Sequence, residues 1–258
     1  MLKLFDFAVV GRDFWAMFTY LPVTLKLTLW SALMGLVLGF ALAVIKMKNI
    51  PGFKQLIAFL VSFIRGTPII VQLYLTYFGI PILLKYINYY QGTNYKVNGV
   101  EPIVYAILAL GVNSAAYNAV TIQSALESVN KGEIEAAVSL GLSGWQRMFR
   151  IIIPQATILA LPSIGNTLIG LIKGTSLAFT CSVIEMTAAG KIMAGRDYRY
   201  FECYVALAII YWLLTIVLEF MMGYIVKAIQ VPESPEQRKG FLWFVKGNRH
   251  NGKKELAA

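Results

Sequence analysis

Charge is what this chain has least of. Of its 258 residues 14% are Asp, Glu, Lys or Arg and 58% are hydrophobic, where an ordinary soluble domain carries about 25% charged residues. That deficit excludes a typical water-soluble globule and points to a chain solvated by lipid. Cysteine is scarce as well. Cys181 and Cys203 are the only two, both in apolar or weakly polar surroundings, with no paired spacing for a disulfide framework or a metal. His250 is the single histidine and stands in a basic tail. No nucleophile, base or ligand cluster converges, so neither an enzyme nor a metal site is expected. The net charge of +10 sits in particular loops and in the tail, which reads as membrane topology and not as a nucleic-acid footprint. A basic start leading into a short apolar core and a small-residue cleavage site is missing too. Asp6 and Asp13 stand there instead, so the first span is expected to act as an uncleaved insertion signal.

Long apolar runs are what the chain has in abundance. A crossing takes about twenty apolar residues, and five stretches qualify: 27–45, 66–84, 102–126, 151–172 and 203–218. Residues 14–20 extend the first upstream of Pro22, and residues 51–64 lead into the second as one long or broken helix. Residues 177–189 are too short and too polar to cross alone and read as a re-entrant piece held by other helices. An odd number of spans puts the termini on opposite sides. Lys46, Lys48, Lys54, Arg65, Lys131, Arg147, Arg150 and the tail form the more basic set. The expected orientation is therefore N-terminus outside and C-terminus cytoplasmic in a prokaryotic cytoplasmic membrane. Residues 85–101, with four tyrosines suited to the lipid interface, and 195–200 read as external loops. Residues 1–230 form the membrane domain, and 231–258 a basic tail in solvent or on the lipid surface.

Between the third and fourth spans lies the one long polar, mixed-charge segment. Glu135, Ala136 and Ala137 favour helix. Gly141 permits a turn that residues with a Cβ resist, and Pro154 stands where a new helix can begin. A short helix, a turn and a re-entry into the membrane make a grip for a soluble partner. Two fragments mimic nucleotide-binding motifs and fail. Residues 165–170 have the two glycines of a phosphate loop, but Leu171 stands where lysine is needed. Residues 142–146 resemble the signature of ABC-type ATPases, but Trp145 replaces a glycine. Energy must then come from another subunit.

The spacing Glu135-Ala136-Ala137, Gly141, Ile151, Ile153, Pro154 resembles the signature of membrane subunits of ABC importers, with Ile153 where leucine is usual. Phe63-Ile64-Arg65-Gly66-Thr67-Pro68 followed by Val71-Gln72-Leu73 resembles a hallmark of polar amino acid permeases. Lys131-Gly132 and Lys173-Gly174-Thr175-Ser176-Leu177 resemble two more. The likeness runs from Pro22 to Val226 and is closest to cystine-type permeases over 113–200. It implies an all-α membrane protein of the type I ABC importer permease fold. That fold has about five transmembrane helices, a re-entrant segment and a cytoplasmic coupling helix near 131–150. It also implies partners: ABC ATPases carrying ATP and Mg, a second permease subunit as homo- or heterodimer, and an extracytoplasmic amino acid-binding protein. No cofactor is implied on this chain. Glu135, Ala136, Ala137, Gly141, Ile151 and Pro154 would couple to the ATPase, with Glu135 pairing across the interface and both alanines allowing close approach.

Two further sets of residues are singled out. Arg65, Gly66, Thr67 and Pro68 stand at the expected cytoplasmic entry to the second span, as a hinge or gate or else as a basic anchor and helix start. Asn113, Ser114, Tyr117, Asn118, Gln123, Asn166 and Thr167 are polar groups within the third and fourth spans. Such groups line a substrate pathway or make interhelical hydrogen bonds. The resembling family commonly has Glu and Arg where Val120 and Gln123 stand here, and usually Asp or Asn where Gly174 stands. The joint loss of the charged pair suits one half of a heterodimer whose partner keeps it. The leading expectation is an importer subunit for cystine or another polar amino acid. A basic amino acid is the alternative cargo. A proton-coupled secondary transporter is the rival class, with Glu127, Glu185 and Glu219 as its titratable groups.

Overall fold

The computed structural model describes residues 5–48, 51–97 and 99–229; the basic tail lies outside them. Among the described residues there is helix and no strand. Helix α1 (Phe7–Phe18) opens the chain, its first amides capped by Asp6. It does not continue into the first span. The chain turns at Thr19 and Tyr20, and α2 (Leu21–Met47) starts with Pro22 in its first turn, where the missing N–H costs nothing. Helices α3 (Phe53–Gly66) and α4 (Ile69–Gln91) are separated by two extended residues, Thr67 and Pro68. The proline itself pushes Thr67 out of helical geometry. Then come α5 (Pro102–Glu127), α6 (Lys131–Ser139) and α7 (Gly144–Arg147). A π turn over Met148–Ile152 joins α7 to α8 (Ile153–Gly174). A tight 3₁₀ segment (Thr175–Cys181), α9 (Met186–Asp197) and α10 (Tyr200–Ile229) complete the fold.

Five helical stretches are long and apolar enough to cross a membrane, the fourth running as one rod from Gly144 to Cys181. Pro154 stands in the first turn of α8, as expected, but no loop precedes it. It lies inside a continuous rod, and because it lacks an N–H and crowds the carbonyl four residues back, the helix opens into a π turn in which Ile153 N–H reaches Met148 O.

Helices α2 and α5 form the centre and run parallel. Ser31 Oγ donates to Ile107 O, and a Cβ added at Gly35 would lie 2.5 Å from Ser114 Oγ. One added at Gly39 would lie 2.7 Å from the Asn118 Cβ. Glycine lets two backbones approach where lipid supplies no hydrophobic drive. Helix α8 packs beside α5, and α10 meets α8 where Gly165 faces Met222. Helices α1 and α9 cover the first half of α10 through Val10, Met17, Met186, Ala194, Cys203 and Ala206. Arg12 ties this corner by pairing with both Asp13 and Asp197, which together raise its already high pKa. The described chain thus starts at one end of the bundle and finishes at the other.

The second span differs most from the sequence reading. Leu73 of α4 packs among Leu27, Ala106, Ala109 and Leu110, and the Tyr77 ring meets Tyr105 edge-on near the start of α5. On the other side of the break, Ile57 and Val61 of α3 pack on Ala116 and Ala119. Helix α3 thus packs on the second half of α5, and the first half of α4 on its first half. The expected re-entrant piece, 177–189, is the 3₁₀ segment and the start of α9. Ala178, Cys181 and Val183 fill the gap between α2, α4 and α5. Fully buried Glu185 caps α9, accepting from Ala188 N–H at 2.9 Å and from the Tyr211 hydroxyl at 3.2 Å.

Candidate functional site

The polar loop forms one rigid unit. Asn130 Oδ1 accepts from Gly132 N–H (2.9 Å) and starts α6. At its end Gly141 takes φ +76°, and two bonds close the turn: Gly141 N–H to Val138 O at 2.9 Å and Leu142 N–H to Ala137 O at 3.1 Å. That is the Schellman arrangement, which explains why glycine follows the helix here. Ser143 and Gln146 cap α7 reciprocally. The unit is joined to the bundle twice. Ile134 packs into the cluster of Ala125, Leu126, Val129, Ala156 and Ala160 from the ends of α5 and α8. The Gln155 side-chain amide of α8 donates to the Glu133 carboxylate of α6.

Of the residues expected to face an ATPase, Glu135 and Ala136 are exposed, but Ala137 is 2% exposed and covered. Its side chain is therefore covered by its own protein, and Ala136 is the alanine that reaches the surface. Gly141 supplies the turn, while Ile151 and Pro154 shape the π turn and the rod that follows. The outward face carries side chains that the motif alone does not reveal. Leu140 is 79% exposed and Trp145 73%, Val138 is exposed too, and the Trp145 ring lies tilted against Phe149 at 4.1 Å. An apolar group on a polar loop with nothing over it marks a surface for another protein.

The second feature is a recess of about 410 Å³ between α4, α5 and α8, within the range of small-molecule sites. Asn113, Ser114, Tyr117, Asn166 and Thr167 line it together with Ile69 and Leu110. Two of the seven pathway candidates lie elsewhere. Asn118 is 2% exposed, turned towards Gly39 of α2, and donates to Ser114 Oγ at 3.3 Å. Gln123 bonds Glu127 one turn along α5 at 2.7 Å.

The hinge candidates meet the recess. The Arg65 guanidinium lies 5.2 Å from the centre of the Tyr117 ring, and Ile69 lines the wall. The break is therefore level with Asn113–Tyr117, about the middle of α5, and directly before the second apolar stretch at Ile69. A hydrophobic run in sequence has no marker of depth; the partners of α3 and α4 set it. Gln72, quoted only as part of a motif, proves central: its side-chain amide bonds Ile64 O, Thr67 O and Thr67 Oγ1, and its oxygen accepts from Asn113. Among the secondary-transport candidates, Glu185 is spent on its cap and Glu127 on Gln123, while Glu219 is exposed on α10.

Known proteins agree with this architecture. The chain is 37% identical over 230 residues to the L-cystine transport system permease protein TcyL of Bacillus subtilis (strain 168), covering 89% of this chain and 94% of that protein. It is 40% identical over 212 residues to the "Probable amino-acid permease protein YxeN" of the same organism, covering 82% and 90%. A crystal structure of an amino acid ABC transporter with histidines superposes with a TM-score of 0.75 at 30% identity, over 88% of this chain and 100% of that one. Residues 24–231 match the family described as binding-protein-dependent transport system inner membrane component. This chain is a member of that family of inner-membrane transport permeases, built on the type I ABC importer fold.

Proposed function

We propose that the chain is the transmembrane subunit of an ATP-driven importer of a polar amino acid, with cystine the favoured cargo. The observation that carries the coupling part is the exposed Leu140–Trp145 face on a loop stitched to α5 and α8. The loop is a lever: a partner that grips it moves the cytoplasmic ends of α5 and α8, two of the three helices that wall the recess. The partner is a separate ATPase that holds ATP and Mg, with Glu135 and Ala136 at the contact. The loop end of the bundle then faces the cytoplasm and α1 the outside. A second permease subunit and an external solute-binding protein complete the machine. Five polar residues line the recess with amides and hydroxyls, and its lining carries no carboxylate. That chemistry suits a neutral polar cargo better than a basic side chain.

The test is purification in mild detergent together with the ATPase. Wild type is expected to retain the ATPase, and Glu135→Arg or Trp145→Asp to release it. Hydrolysis by the intact complex with its binding protein should rise with L-cystine. Uptake that continues without ATP hydrolysis would overturn the reading in favour of secondary transport.

A further inference from the structure

The break between α3 and α4 leaves the carbonyls at the end of α3 without the helical partners they would otherwise have. Inside a bilayer such groups must find donors within the protein. Gln72, one turn into α4, supplies two: its NH₂ lies 2.7 Å from Ile64 O, 3.1 Å from Thr67 O and 2.8 Å from Thr67 Oγ1, sharing its two hydrogens among them, while the Thr67 hydroxyl itself donates to Ile64 O at 3.3 Å.

Those bonds settle more than the break. An amide's nitrogen and oxygen are distinguished by what surrounds them. The two carbonyl oxygens can only accept, so the Gln72 end beside them must be its NH₂. Its Oε1 must then point the other way, where Asn113 lies 3.1 Å off. To meet an oxygen, Asn113 has to offer its own NH₂. Asn113 lines the recess, and with its NH₂ turned to Gln72 its Oδ1 lies on the opposite edge of the amide, where it can serve as an acceptor.

We propose that Gln72 is the positioning residue of the pathway: through it, the helix break dictates that Asn113 presents an acceptor to the recess and so favours a ligand with a free ammonium group. The inference rests on the reading of the recess as an amino acid pathway and names the part of the cargo recognised there. Gln72 itself touches no ligand. It acts by denying Asn113 the opposite orientation.

The test uses the assembled permease–ATPase complex in lipid nanodiscs and equilibrium binding of L-cystine, L-arginine and L-glutamine, each against its α-N-acetylated form. Wild type is expected to prefer the free amino acid. In Gln72→Leu the Asn113 amide can rotate to show either end, and the preference should fall about tenfold, the worth of one hydrogen bond to a charged group. Adding Asn113→Asp should restore it, because a carboxylate shows an oxygen in both orientations. A merely structural role for Gln72 would not be repaired at Asn113. Gln72→Met, closer in shape to glutamine, serves as the second variant. Full preference in the Gln72 variants, loss without rescue, or no preference in wild type overturns the proposal. So does failure of both variants to assemble with or without Asn113→Asp, which would make Gln72 a structural brace only. If wild type binds none of the three amino acids in any form, the pathway reading itself falls and takes this one with it.

Discussion

Gly141 occupies a backbone region that costs other L-residues roughly 1–2 kcal/mol, and a Cβ there would meet nothing within 4 Å. The demand is purely conformational. Gly141→Val should therefore destabilise the loop by about 1–2 kcal/mol, whereas Gly141→Asn, which tolerates this region, should cost much less. Thermal release of the ATPase from the complex would report the difference; equal losses in both variants would mean that the position is sensed by contact and not by conformation. The neighbouring signature residues divide in a way their names do not show. Ala136 is exposed and Ala137 covered. The same holds within α5, where Asn113 faces the recess while Asn118 is sealed against α2. Polar residue types were legible as candidates, but the face each one takes was not.

The π turn between α7 and α8 belongs to the rod as a whole. It exists because Pro154 cannot donate, so one extra residue is accommodated over Met148–Ile152. Pro154→Ala should let the turn close into regular helix, with a local gain of up to about 3 kcal/mol. Removing the bulge rotates everything before it by about 100° relative to α8, one residue's step on a helix of 3.6 residues per turn. Trp145 and Phe149 would then leave the outward face. The expected result is a higher unfolding midpoint with weaker ATPase retention, measured on the same preparation. A variant that is more stable and still fully coupled would remove the π turn from the mechanism. The helix start at Pro154 was legible in the sequence; that a π turn and not a loop precedes it was not.

For the whole molecule, the two ends of the bundle decide the direction of transport. Phe7 at one end is 81% exposed and Leu140 at the other 79%, while both native cysteines, Cys181 and Cys203, are fully buried and should stay silent to a thiol reagent. In intact cells a membrane-impermeant maleimide should label Phe7→Cys, and should reach Leu140→Cys only after permeabilisation. The reverse pattern would place the loop outside and sink the coupling scheme. The packing already constrains this outcome, because α2 and α5 run parallel and α8 antiparallel to them, so the loop and the end of α10 share a side.

Span number, the helix and turn of the polar loop, and the family were legible in the chain because each depends on local quantities. Hydropathy adds up along about twenty residues, and the loop motif spans a single helix, turn and re-entry. The depth of the α3–α4 break, the split between Asn113 and Asn118, the burial of Ala137, and the work of Gln72 and Gln155 were not. Helices that are apolar on nearly every side, such as α2, α4 and α5, carry little periodic signal for which face meets a neighbour. Those choices were made when the helices packed, because only a partner distant in sequence can decide whether a polar group inside a bilayer is satisfied, sealed or left facing an open recess.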